Sequence, residues 1–465
     1  MKTSTTELKT QLIDKNDEKA RVLGTFSILF CYLYIFTGIV YPRILGFEFI
    51  LKDTTFYNLF MMAGFSFSFM IFIMNKRARS AWISGVLKSK FIVGTFIVYI
   101  LIQILSDIQQ PHANITLLET AKSIVYIHNN IFISSIIFLD SRNRSIMINT
   151  IIMSTMIAVA IGLIELASGS TLFKLLGIHL SGYATNSLAA GTSREGAHRV
   201  QSIFSSPILY GQFLASVVPL IAFKLKSAKS PLVKLAIIGL FITVPVALWS
   251  TGTRSPLVCL AVSMGLYLSL NFLSKRNSGV TGAVALLSLG LIFAGLGSMY
   301  MGELMQLVKG RTSSEMISSM TRELQFTNGL FALKKKPTFG YGEGMAPIVA
   351  GSSNQGILSI DCYFLSVAID GGWLGLIAFS AFSVSILFTG TILALKDRSL
   401  CALTSMAAAL VVGLLVISIN DNLTFIHWVA GYIIASQARI PEPARSRFAA
   451  MKARRAQSLP SMQAT

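Results

Sequence analysis

Charge is scarce in this chain, acid scarcer than base, and cysteine nearly missing. Only 13% of the 465 residues are Asp, Glu, Lys or Arg, against roughly 25% in an ordinary soluble domain, which excludes that class. Cys31, Cys259, Cys362 and Cys401 are isolated, lie in or beside apolar runs and show no CxxC spacing. That excludes a disulfide framework and a zinc site. No short-period repeat, low-complexity tract or soluble-domain boundary stands out, and no DxD-type metal motif occurs in an outer loop. Acidic residues number 20 against 39 Lys and Arg, a net charge of +19. Much of that basic surplus sits in short loops between apolar runs and in the tail after Ala438. This is the orientation bias of a membrane protein and not a nucleic-acid surface.

What is present is hydrophobic sequence, 53% of the chain, with a mean hydropathy of +0.66. The apolar runs are about 18 to 22 residues long, the length that carries a helix across roughly 30 Å of hydrocarbon. Since a spanning segment must satisfy its own backbone, the fold expected is all-α, a polytopic bundle of about twelve transmembrane helices. Residues 1–21 form an inner tail, 22–438 the membrane domain, and 439–465 a basic inner tail suited to anionic headgroups. The first apolar run has no small-residue cleavage site after it, so an uncleaved first helix is expected.

Spans are expected near Val22–Tyr41, Tyr57–Met74, Phe91–Asp107, Ala121–Leu139, Ile146–Leu166, Ile208–Phe223, Leu235–Ser250, Leu257–Leu273, Val280–Tyr300, Trp373–Leu395, Leu400–Ile419 and Leu423–Ala438. The basic stretches NKRARSAW, DSRNRS, KLKSAKSPLVK, SKRNSG and KDRS fall on one side, with both termini. The largest mixed-polarity stretch, residues 301–372 between the ninth and tenth spans, falls on the other, outer side. A polar island of this size in a membrane protein is where chemistry is expected.

The topology was not built around arginine, yet it puts Arg199, Arg254, Arg311, Arg322 and Asp361 together on the outer side. Arg254 sits in TGTRSP, a break between two runs where Gly252 and Pro256 force a turn. Guanidinium suits phosphate, with a planar, always-charged fork; snorkelling to lipid headgroups is the competing reading. Arg199 precedes QSIFSSP near the same surface. Arg322 is expected to begin an amphipathic helix with Leu324, Leu330, Phe331 and Leu333 on its apolar face. Asp361 lies at the mouth of YFLSVAIDGGWLG, where a carboxylate can act as a general base. Asp370 is expected to be deeper and structural, paired with an outer arginine. His198 and Asp421 are accessory candidates beside Arg311, with Asn420, Asp421 and Asn422 an outer polar turn. His128, Asn129 and Asn130 are expected to hydrogen-bond between helices.

The ordered stretches RVQSIFSSPILYGQFLA, STGTRSPLVCLAV, TRELQFTNGLFALKKKPTFGYGEG and DCYFLSVAIDGGWLGL resemble those of the O-antigen ligase and polymerase family. These are bacterial inner-membrane enzymes that move glycans from an undecaprenyl pyrophosphate carrier on the periplasmic face. The resemblance implies a periplasmic outer side, cytoplasmic termini and a lipid-linked oligosaccharide donor with a glycan acceptor, alongside other polysaccharide-assembly proteins such as a chain-length regulator. Ligase members typically carry histidine where Asp361 stands, so aspartate here looks more like the polymerase and exopolysaccharide-production members. The mechanism expected is inverting glycosyl transfer without metal or cofactor. Arg199, Arg254 and Arg322 neutralise the departing pyrophosphate, and Asp361 accepts the proton of the acceptor hydroxyl. A ligase acting on a lipid A-core acceptor, or a flippase for lipid-linked sugars, is the alternative.

Overall fold

The computed structural model describes residues 23–40, 56–171, 193–194, 197–274, 313–354, 357–417 and 421–439. The apolar runs form helices, as the hydropathy predicts: α1 (Thr25–Val40), α2 (Phe56–Met74), α4 (Lys90–Ile108), α7 (Ser141–Ser168), α8 (Pro207–Ser227), α9 (Pro231–Ser250), α10 (Ser255–Ser274), α14 (Arg398–Gly413) and α15 (Asp421–Ser436). Sheet among the described residues is limited to two antiparallel hairpins, β1–β2 (Ser193–Arg194, Ala197–His198) and β3–β4 (Ser352–Asn354, Ile357–Ser359). Six of the described helices are long and apolar enough to cross a membrane, seven if one bent pair counts as a span. Two shorter apolar helices, Phe26–Val40 and Arg398–Gly413, join them. The chain is a multi-pass, helical membrane protein. The expected ninth span, Val280–Tyr300, the N-terminal tail and the C-terminal tail after Arg439 lie outside the described residues, as does Arg311.

Three local details depart from the expected spans. The basic stretch after Met74 is helical: α3 (Lys76–Lys88) leaves α2 at 104°. Asn75 caps it, its side chain accepting from the backbone N–H groups of Arg77 and Ala78. The fourth run is divided into α5 (Ala113–Ser123), a π-helical turn at Ile124–His128 and α6 (Asn130–Ile137). There His128 packs edge-on against Phe96, Tyr99 and His427, while Asn130 accepts a hydrogen bond from Tyr34, itself held by Trp428. The expected role of this run in joining helices is met by Asn130, whereas His128 contributes ring packing.

The third departure shapes the site. The run from Cys362 onward forms α13, Tyr363–Ala394, but Gly372 breaks it with φ 66° and ψ −167°. On α4, Tyr99 shares a side-chain hydrogen bond with Tyr363 and packs at 5.3 Å against Phe379. Seven residues further along α4, the Ser106 hydroxyl donates to the Asp370 carbonyl at 2.7 Å. Tyr363–Gly371 therefore climbs alongside α4, and Trp373–Ala394 descends beside it, Thr95 of α4 meeting Ser385. The second arm alone is about 33 Å long at 1.5 Å per residue, sufficient for the hydrocarbon core.

Contacts sort the turns into two ends. At one, Lys88 donates to the Gln437 carbonyl, the Arg439 N–H donates to Ser84, Arg144 lies over Tyr432 and Lys226 over Tyr267. This is the basic end. At the other, Gln212 near the start of α8 donates to the Gly413 carbonyl and accepts from Asn422, and the Tyr363 N–H donates to the Leu414 carbonyl. The candidate site residues gather at this second end.

Candidate active site

Arg322 lies within α11 (Ser313–Lys335) rather than at its start. Gln325, Gly329, Ala332 and Leu333 face inward, and Gly329 packs so tightly on Leu365 that a Cβ there would sit 2.8 Å from it. Of the residues expected on its apolar face, Leu333 is buried, while Leu324, Leu330 and Phe331 are exposed. The helix is positioned by its small and amide residues, with Gly329 seating the Leu365 and Ile369 side chains of the first arm of α13 against it.

This packing brings Arg322 onto Asp361, with its Nε–H donating to Oδ2 at 3.2 Å. Gln325 fixes the other side of the pair. Its amide donates to Ser352 Oγ and the Ser359 carbonyl, and its oxygen accepts from the Asp361 backbone N–H at 3.0 Å. Both charged side chains remain over one third exposed, so the pair opens to solvent or substrate. It is a recessed position. Asp361 immediately precedes the Tyr363 level of the hairpin, roughly 10 Å along α4 below the Gly372 apex.

Asp370, expected to be the deeper carboxylate, is at that apex. Among the described residues it meets no arginine; its carboxylate accepts from the backbone N–H groups of Ala346 (2.6 Å) and Gly344 (3.3 Å). Asp370 is the more buried of the two carboxylates, as expected, but the turn at Gly372 puts it at the apex of the hairpin. Residues 336–346 are stitched over the apex by further bonds: Lys336 to Gln110, Gln110 to the Gly340 carbonyl, and the Glu343 N–H to Asp107. A Cβ on Gly340 would meet the Ile369 carbonyl oxygen at 2.3 Å, which accounts for glycine in FGYGEG. Burial, then the neighbouring Asp107, pushes the Glu343 carboxyl up to about 7. Short α12 (Ala346–Ala350) closes this cover against Ile360, Cys362 and Ile369. Burial raises the Cys362 thiol, so it is not a thiolate nucleophile beside Asp361.

Arg199 folds over the turn that carries Arg254. Its Nε–H donates to the Thr251 carbonyl at 3.0 Å, and its aliphatic stem lies against Gly252, whose φ is 58°. The Val200 N–H donates to the Ser250 carbonyl, and Thr251 and Thr253 share a hydroxyl hydrogen bond. Arg254 immediately precedes α10, where Pro256 packs on Gly211. From there the contacts run through Gln212, Gly413 and Leu414 to Tyr363. Arg199 with Arg254, and Arg322 with Asp361, are thus linked through a chain of contacts at the second end of the bundle.

Residues 238–380 match the family model described as O-antigen ligase. That stretch, under half of the chain, is similar to the O-antigen ligase family. No curated protein matches the chain. The matched stretch contains Arg254, Arg322, Asp361 and Asp370, while Arg199 comes from outside it and reaches it through the Thr251–Gly252 turn.

The remaining candidates resolve less evenly. His198 turns away from the arginines to Glu165, with Nε2 and Oε1 3.1 Å apart, and burial lowers its pKa. Asp421 opens α15. Its neighbour Asn422 is fully buried on Gln212, not offered to a sugar; Asn420 lies outside the described residues. Two groups escaped the sequence reading, Glu165 and Gln325. Glu165 is the one acid inside the run Ile146–Leu166, and a lone intramembrane carboxylate is itself a functional signal; Gln325 carried no such mark.

Proposed function

We propose that this protein is a membrane glycosyltransferase that polymerises undecaprenyl-pyrophosphate-linked oligosaccharide units on the periplasmic face, in O-antigen or exopolysaccharide synthesis. The observation that carries the reading is the Arg322–Asp361 pair inside the stretch similar to the O-antigen ligase family, held at the mouth of the bundle by Gln325. The acceptor hydroxyl attacks the anomeric carbon as the bond to the pyrophosphate oxygen breaks, and Asp361 takes the hydroxyl proton. Attack opposite the leaving group inverts the anomeric centre. Arg322 contacts Asp361 through Nε, one of five donors in its fork. Its terminal nitrogens are suited to the pyrophosphate, so one residue orients the base and steadies the leaving group.

Arg254 and Arg199 supply the rest of the positive charge, fixed in place before the reaction, which is where electrostatic stabilisation is most effective. With three guanidinium groups on the pyrophosphate, the departing charge is met without a divalent cation. The basic end of the bundle would face the cytoplasm, both termini with it.

A ligase reading is favoured by the description of the family model itself. The two are separated by a deletion strain examined for surface glycan. Short lipid-linked units accumulating is the outcome expected of a polymerase; full-length polymer left unattached would move the assignment to ligase. Unchanged glycan of both kinds would remove the protein from this chemistry.

A further inference from the structure

Glu165 ends the long helix α7 with its side chain fully buried. A carboxylate in that position is costly unless its oxygens are met. Here they are met by one short segment. Oε2 accepts from the backbone N–H groups of Ser202 (2.6 Å) and Gln201 (3.3 Å), while Oε1 faces His198 Nε2 at 3.1 Å. These three residues bracket Arg199 on both sides. Ser202 adopts φ 55°, the one positive φ outside glycine among the described residues, a conformation that costs energy and persists only where surroundings enforce it. Its hydroxyl also donates to the Ala158 carbonyl, about two turns of α7 before Glu165. The segment is thus tied to α7 by Glu165 and Ser202, and to the Thr251 turn by Arg199 and Val200.

We infer that Glu165 is a positioning residue for the donor site: it clamps His198–Ser202 so that the Arg199 guanidinium lies over the Gly252–Arg254 turn. It touches no substrate. Its partners are two backbone N–H groups and the His198 ring, and its effect on the pyrophosphate passes through Arg199. This rests on the reading that Arg199 contacts the donor.

The test is a double-mutant cycle on purified protein in nanodiscs, reading binding of a polyprenyl-pyrophosphate oligosaccharide together with KM and kcat. Glu165→Ala should weaken donor binding about tenfold or more and lower kcat/KM for the donor by at least as much, because Arg199 serves both the bound donor and the departing pyrophosphate. Combined with Arg199→Ala it should add little, because groups acting as one unit are non-additive. Glu165→Gln, which retains an acceptor oxygen for Ser202 and Gln201, should stay within about threefold of the parent and serves the same cycle where the alanine protein folds poorly. Additive losses in the double variant, or a glutamine variant as impaired as alanine at normal protein level, would overturn the clamp. Arg199→Ala with unchanged donor binding would instead remove the donor-site reading beneath it, so the two failures are told apart.

Discussion

The rings of Tyr363 and Phe379 stand 5.2 Å apart although both lie in one apolar run. In an unbroken helix sixteen residues would separate them by about 24 Å. The chain turns back at Gly372, and Val367 and Gly375 approach across the two arms, a Cβ on Gly375 lying 3.2 Å from the Val367 carbonyl oxygen. This hairpin places Asp361 at the level of the ends of α8 and α14, where the arginines are, and leaves Asp370 to anchor the cover at the apex.

Gly372 should therefore be irreplaceable in a way its neighbour is not. A Cβ there meets the Thr338 carbonyl oxygen at 2.3 Å and the residue sits at φ 66°, while a Cβ on Gly371 meets nothing within 4 Å. Gly372→Ala is expected to destabilise by more than about 1 kcal/mol and to lower both the thermal midpoint and the yield of folded protein. Gly371→Ala should be tolerated on both readouts. Equal behaviour of the two would mean that the hairpin does not form.

The turn carrying Arg254 supports a second expectation. Arg254→Lys keeps a positive charge but loses the planar fork, so it should damage activity nearly as much as Arg254→Ala. Activity has to be read beside protein level. A fully active lysine variant would reduce this arginine to a headgroup anchor.

Much of this was legible beforehand. The helices α2, α4, α8, α9 and α10 start and end within a few residues of the apolar runs, because a run of that length and composition has only one way to satisfy its backbone in lipid. Arg199, Arg254, Arg322 and Asp361 were singled out because arginine on the side away from the basic loops needs a reason. Hydropathy has no direction, however, so YFLSVAIDGGWLG read as a single approach to one span. The Asp370–Gly371–Gly372 sequence held the signal for a reversal, but it is visible only once the 336–346 cover is seen filling the space a side chain would need. Gln325 and Glu165 act through backbone N–H groups on distant segments, which no local pattern encodes.

Glu343 gives the fold a pH dependence of known sign. Its folded pKa of about 7 exceeds the ordinary value of 4.5, with burial the main cause and Asp107 next. A carboxyl raised on folding costs nothing below its unfolded pKa. The penalty grows between about pH 4.5 and 7 as the buried group is forced to ionise, and is complete above that. Glu343→Gln should therefore raise the thermal midpoint at pH 8 and leave it unchanged near pH 4.5, measured by thermal shift in detergent. A variant less stable than the parent at pH 8 would contradict this.

Transfer should also survive chelators if, as proposed, three guanidinium groups meet the charge of the leaving pyrophosphate. Glycan transfer assayed with EDTA should match the untreated rate. Silencing by EDTA with recovery on adding magnesium would overturn the metal-independent mechanism.

The most direct test of the account is chain growth by purified protein given a lipid-pyrophosphate oligosaccharide and no other enzyme, compared between the parent and Asp361→Asn. Asparagine keeps the shape at Arg322 but cannot accept the proton, so polymer formation should fall by roughly 10²–10⁴-fold, the usual consequence of losing a general base. Donor binding should persist. Polymer made at the parent rate by Asp361→Asn would contradict the role of this residue, and no polymer from the parent protein would contradict the enzyme itself in favour of a transporter.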